Sequence, residues 1–159
     1  MYPAHGAGRV AAREKRVVFG AEQEVVVLAL ADGLSVTLPM QLARELLRPL
    51  VSEAGLRRVQ ETLREDGAPS GDVWVKRMKQ AQAKLTGGDP LELAEIVRDG
   101  ARRARRLTAN GTNSKLSIRE KGLCVKARQH LSGEIGFVRG LDRAVVDAWI
   151  DEQLAPMGS

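Results

Sequence analysis

Cysteine is nearly missing from this sequence, and aromatic residues make up only 3% of it. Cys124 is the sole cysteine among 159 residues, which excludes an internal disulfide framework and fits a reducing compartment. The cytoplasm is the simplest expectation. The two histidines, His5 and His130, lie far apart in sequence. Metal centres use about four ligands at recurrent spacing, so no metal is expected, and Cys124 and His130 read as ordinary structural residues. No apolar run approaches the roughly 20 residues of a membrane helix. The opening MYPAHGAGRV lacks the basic-then-apolar pattern of a secretory signal. No nucleophile–base set or carboxylate pair stands at a plausible spacing. The chain is therefore expected to be no enzyme, with no cofactor, no small-molecule substrate and no membrane partner. His5-Gly6-Ala7-Gly8 lacks the spacing of a phosphate-binding loop and does not lead into a helix, so it reads as a turn entering a strand.

What is present is the composition of a globular protein, 43% hydrophobic and 28% charged. The charge is unevenly placed. Through Asp66 there are nine Lys/Arg and nine Asp/Glu; from Gly67 onward there are sixteen and eleven, so the whole excess of +5 falls in the second part. A basic half implies an anionic partner there, nucleic acid being the commonest. Charge alone leaves an anionic membrane surface open as well.

The two parts also differ in period. Gly8 to Pro39 reads as three short antiparallel strands in a small twisted sheet or partial barrel. Val25, Val26, Val27, Leu28 and Leu30 form a strand-like apolar run. Gly20 and Asp32-Gly33 mark the turns, and Pro39 ends the last strand. From Gln41 the period becomes helical. Asp89-Pro90 and the capping box Ser117-Ile118-Arg119-Glu120 open helices, and Asp142 opens a last one with Val145, Ala148 and Trp149 on one face. Helices are expected near 52–65, 72–86, 90–106, 117–132 and 141–154. The Pro/Gly/Ser-rich stretch 66–71 is the best linker, and the Asn/Gly/Thr content of Leu107 to Ser114 argues against helix there. The fold class is α+β: a β-rich module over 1–50, then an all-helical domain over 51–159.

Basic residues recur on the helices. Lys76, Arg77 and Lys79 follow Trp74, with Lys84 further on; Arg102, Arg103, Arg105 and Arg106 crowd the next helix end; Lys115, Arg119, Lys121, Lys126 and Arg128 follow. A solvated face, or cations favoured by a helix C-terminus, would explain each group singly. Together they favour a surface that tracks phosphates. Two readings of Trp74 stand side by side. It heads an apolar stripe with Met78, Ala81 and Leu85, which is core packing. It also sits at a helix start beside a basic triplet, which suits an aromatic wedge for a minor groove. Trp149, without basic neighbours, reads as core.

Several stretches resemble the CarD-like family. Tyr2-Pro3-Ala4-His5-Gly6 is similar to its Y-P-x-H-G opening, and Leu38-Pro39 to its strand-terminating V-P. VWVKRMKQAQAKLTGGDPLELAEIVRDG and SIREKGLCVKARQHLSGEI resemble its tryptophan-bearing basic helix and its K-A-R-x-x-L helix. The resemblance runs in order from Tyr2 to about Ile135. It implies an N-terminal Tudor-like antiparallel module that docks on the β subunit of RNA polymerase. It also implies a helical domain that contacts promoter DNA at the upstream edge of the transcription bubble and stabilises the open complex. Trp74 matches the wedge. Lys76, Arg77 and Lys79 match the basic residues beside it, Arg103 and Lys121 match further members of the basic surface, and Arg16 matches a polymerase contact. The edge expected to pair with polymerase is the strand of Val36, Thr37 and Leu38, with Arg16 on a neighbouring strand.

Three departures stand out. Relatives carry a G-D-x-V-V strand before Y-P, whereas this chain starts at Met1, so the first strand is expected to be trimmed or the sheet completed differently. Thr37 stands where relatives place a second basic contact. Leu107 to Ser114 lengthens a connection that is shorter in relatives. Two other readings remain from composition: a free-standing nucleic-acid binder, and a protein–protein adaptor whose basic face meets an acidic partner.

Overall fold

The computed structural model describes residues 1–66, 72–109 and 115–156. Three strands, β1 (Gly8–Val18), β2 (Ala21–Leu30) and β3 (Ser35–Pro39), form an antiparallel meander with β2 in the centre. The side-chain period of two carries Val26, Leu28 and Leu30 of β2 into a core with Leu38 of β3, while Val25, on the opposite phase, is buried as well. Both turns use left-handed backbone. Phe19 and Gly20, at φ 52° and 78°, close β1 onto β2, and Gly33 at φ 91° serves the second hairpin. There Asp32 Oδ1 accepts from the Leu34 amide at 3.0 Å. A register shift between Val10 and Ala12 marks a bulge in β1. Gly8 is required by close approach, since a Cβ there would meet the Ala29 carbonyl oxygen at 2.5 Å.

The first module is not purely β. A short helix, α1 (Met40–Leu46), follows Pro39 directly and buries Ala43 against the sheet. Five further helices follow: α2 (Glu53–Arg64), α3 (Trp74–Gly87), α4 (Pro90–Ala109), α5 (Ile118–Arg139) and α6 (Arg143–Leu154). The α+β layout read from the sequence is the one observed. A single large core joins Leu56, Val59 and Leu63 of α2, Leu93 and Val97 of α4, Leu131 and Ile135 of α5, and Val146, Ile150 and Leu154 of α6. α3 lies on this bundle through Met78, Ala81 and Leu85.

Several expectations are corrected by packing. α5 runs to Arg139 rather than 132, because burial of Leu131 and Ile135 overrides the local weakness of Ser132 and Gly133. It stops at Gly140, whose left-handed φ of 67° caps it. α4 continues to Ala109, so Leu107 to Ala109 are helical; residues 110–114 of the expected loop lie outside the described residues. The expected linker likewise lies outside them from 67 to 71. On α6 the buried face is Val146, Ile150 and Leu154, whereas Val145 and Ala148 are exposed and Trp149 is half-buried beside the core. Asp142 occupies the N-cap position of α6 but makes no side-chain cap bond. Asp89 does, its Oδ1 accepting from the Leu91 amide at 2.8 Å.

The two modules are fastened by one arginine. Arg48 donates to both oxygens of Glu134, at 2.5 and 2.7 Å, and to the Gly88 carbonyl at 2.7 and 3.0 Å. Glu134 is fully buried, and it also accepts from the Val51 amide at 2.8 Å. The N-terminal ammonium of Met1 donates to the Arg48 carbonyl at 2.7 Å. Pro3 packs so close to the α3–α4 turn that a Cβ on Gly88 would meet its ring at 2.6 Å.

Candidate nucleic-acid interface

The starts of α3 and α5 lie 43 residues apart in sequence and side by side in the fold, joined by the Trp74 side chain. Trp74 Nε1–H donates to Ser117 Oγ at 3.2 Å. The same oxygen accepts from the Glu120 amide at 3.2 Å, the helix-capping half of the S-x-x-E box. Arg119 completes the join, its guanidinium carbon 5.8 Å from the centroid of the Trp74 ring. Trp74 is therefore held in place but not buried, with 39% of its surface exposed. The apolar stripe expected on α3 divides: Met78, Ala81 and Leu85 belong to the core, and Trp74 does not. Its apolar neighbours Val73, Val75 and Ile118 face solvent too, Ile118 at 94% exposure.

Cations surround these helix starts. Lys79, Lys115, Arg119 and Lys121 are exposed, and none makes an ion pair among the described residues. Lys76 pairs with Asp72 at 3.2 Å across one helical turn, and such an exposed pair contributes at most about 1 kcal/mol. Neither helix start carries an exposed acid in its first turn; Glu120, the acid at the start of α5, is buried. Two joined helix N-termini, the positive ends of their dipoles, thus belong to the same elements as these lysines.

Arg77 and Arg103 sit behind this surface. Both line a cavity of about 130 Å³ between α3, α4 and α5, together with Arg106 and Glu120. The buried Nε atoms of both lack a hydrogen-bond partner, although Arg103 Nε stands 3.4 Å from Glu120 Oε1 as an ion pair. Cys124 lines the same cavity, and burial, then Glu120 and Asp99, pushes its thiol up to about 11. It is an inert thiol at neutral pH.

Other basic residues serve the fold instead. Arg102 is buried and donates to the carbonyls of Leu63, Glu65 and Leu154, closing the C-terminal ends of α2 and α6. Arg105 adds a bond to Leu154 at 3.0 Å, Lys84 pairs with Glu95 at 2.7 Å, and Arg128 is held by Asp147 and Asp151. The four-arginine cluster read as surface is therefore half structural. Among the described residues no group of three His, Cys, Asp or Glu could hold a metal, and no helix is long and apolar enough to cross a membrane.

The sheet distributes its candidate residues differently from expectation. β3 is an edge strand, with its outer main chain unpaired in the sheet. Leu38 is buried in the sheet core, Val36 is half-buried and Thr37 is exposed, so Leu38 offers main chain only. Arg16 is not on a strand adjacent to β3. It lies on β1, the opposite edge, opposite Gln23 and ion-paired to Glu14 at 2.8 Å.

Residues 1–51 match the CarD-like/TRCF RID domain, and residues 58–151 match the C-terminal domain of CarD. The chain belongs to the CarD-like family. A relative from Bacillus subtilis (strain 168), YdeB, is 24% identical over 143 residues, covering 89% of either chain, and is named as a candidate transcription factor. This CarD-like chain is accordingly a transcription-related regulator, with an RNA polymerase-interacting domain class at its N-terminus. Within the CarD-like frame, sequence reasoning missed Ile118 and the Ser117–Trp74 bond. Ser117 was legible only as a helix cap, and Ile118 only as filler inside the capping box.

Proposed function

We propose that this CarD-like chain docks its β module on the β subunit of RNA polymerase and grips promoter DNA with the starts of α3 and α5. The grip falls at the upstream edge of the transcription bubble and lengthens the life of the open complex without catalysing a reaction. The supporting observation is the exposure of the Trp74 ring at two joined helix N-termini, amid unpaired cations. An aromatic that served only the core would lie with Met78 and Leu85. Held outside it by Ser117 and Arg119, the ring is preorganised to enter an opened base step while Lys79, Arg119 and Lys121 take phosphates.

The mechanism is energetic coupling. Docking on polymerase raises the effective concentration of the helical domain at the promoter, so weak DNA contacts suffice. DNA contact that exists only once the duplex is melted shifts the equilibrium toward melting, because only differential affinity moves a population. Arg48 and Glu134 support this by holding the two modules in a set orientation. The cytoplasm is where polymerase and promoter meet.

The test measures the lifetime of open promoter complexes after competitor challenge, with and without the chain, alongside its co-purification with polymerase. Longer lifetimes with co-purification are expected. A free-standing nucleic-acid binder would leave lifetimes unchanged and fail to co-purify.

A further inference from the structure

β1 and β2 extend past the end of β3. The last β3 residue, Pro39, pairs with Val25, whereas β1 and β2 stay paired from Lys15↔Glu24 to Val18↔Ala21. The tip is thus a two-stranded arm reaching beyond the sheet, turned by Phe19 and Gly20.

Phe19 is an improbable residue for that turn. Both turn residues have positive φ, the geometry that Asn-Gly or Asp-Gly fills without cost. Phe19 is the one non-glycine with positive φ among the described residues, and a bulky side chain disfavours that region. It is also fully exposed, at 103%, next to Val17 at 74%. Full exposure means that it contributes nothing to either core, so neither the turn nor the packing accounts for it. A strained, solvated aromatic on a projecting arm marks a contact with another molecule.

We infer that Phe19 at the β1–β2 tip is an anchor that inserts into an apolar pocket on RNA polymerase, a second contact separate from the β3 edge. This rests on the polymerase-docking reading. The partner follows from the module that carries the arm, whose domain class interacts with polymerase. Aromatics are enriched at the centres of such interfaces, within rims of polar residues that exclude water. Lys15 and Arg16 with Glu22 and Glu24 supply a rim of mixed charge on the arm. Phe19 and Arg16 then face the partner from the same arm.

The experiment titrates full-length chain against core RNA polymerase, comparing wild type with Phe19→Asn and Phe19→Met. Asparagine suits the turn, so its melting temperature should be unchanged or higher. Its affinity for polymerase should fall at least about tenfold, as for loss of an interface anchor. Methionine should retain most of the affinity, and DNA binding by the chain alone should be unchanged for both. Equal polymerase affinity of wild type and Phe19→Asn overturns the anchor while leaving docking intact. So does a concentration-dependent dimer that Phe19→Asn abolishes with polymerase affinity unchanged, since the arm would then serve self-association. Failure of wild type to bind polymerase instead removes the docking reading, and the anchor with it.

Discussion

Truncation of Trp74 to alanine separates a wedge from a core residue by magnitude. A tryptophan buried in the bundle would cost about 3–5 kcal/mol on removal. Trp74 keeps 39% of its surface exposed, and its specific ties are one side-chain hydrogen bond to Ser117 and one cation–π contact with Arg119. The hydrogen bond contributes about 1 kcal/mol and an exposed cation–π contact about 0.5 kcal/mol. With the partial burial of the ring, the expected loss is about 1–2 kcal/mol. For a chain of 159 residues that lowers the melting temperature by roughly 2–8 °C. The functional loss should be larger. Open-complex decay should accelerate nearly to the rate without the protein, because the ring that replaces base stacking is gone, while polymerase association persists. Trp74→Phe should recover part of the lifetime, since it retains a flat ring and loses only the bond to Ser117. A fall of 10 °C or more in Trp74→Ala (about the range of core loss), or an unaltered open-complex lifetime, would refute the reasoning.

Ile118→Ser tests the second exposed apolar residue. At 94% exposure it should leave the melting temperature within about 1 °C and shorten open-complex life. DNA binding by the full chain should weaken steeply with salt, and Lys79→Gln or Lys121→Gln should each reduce the slope of log K against log salt by about 0.9. Arg16→Glu should weaken polymerase association and leave DNA affinity unchanged. Arg48→Ala leaves the buried Glu134 carboxylate without its cation and should cost about 3–5 kcal/mol, read in a denaturant titration. His130 supplies the pH test: burial, then Arg143 and Lys126, lowers its pKa below the ordinary 6.5. The unfolded chain therefore takes up that proton first, and His130→Gln should lose less stability than wild type as pH falls below about 6.5.

Local chemistry made much of this fold legible in advance. Glycine at Gly20 and Gly33 announced hairpins because positive φ suits it, and Asp89 and Ser117 announced helix starts because their oxygens satisfy otherwise unpaired amides. Where the evidence was local propensity alone, the reading failed at its edges. α5 passes through Ser132 and Gly133 because tertiary burial outweighs weak helix formers, and α4 runs on through Leu107 to Ala109. The site was legible in kind and not in membership. Trp74 beside a basic triplet suggested an aromatic wedge, yet composition alone favoured core packing for it.

The sequence by itself determined the α+β order, the family, the segregation of positive charge and the residue types of the candidate interface, since each of these rests on spacing or identity within a few residues. Tertiary structure alone decided which members of those sets are free to act. Arg102 is drawn inward by the carbonyls of Leu63, Arg64, Glu65 and Leu154 at helix ends, whereas Lys79 and Lys121 remain in solvent, although all are basic residues on neighbouring helices. Trp74 is turned outward by a hydroxyl 43 residues away, and Arg16 falls on the far edge from β3 because β2 lies between them. Contacts between residues remote in sequence depend on how whole elements pack, and no local pattern encodes that geometry.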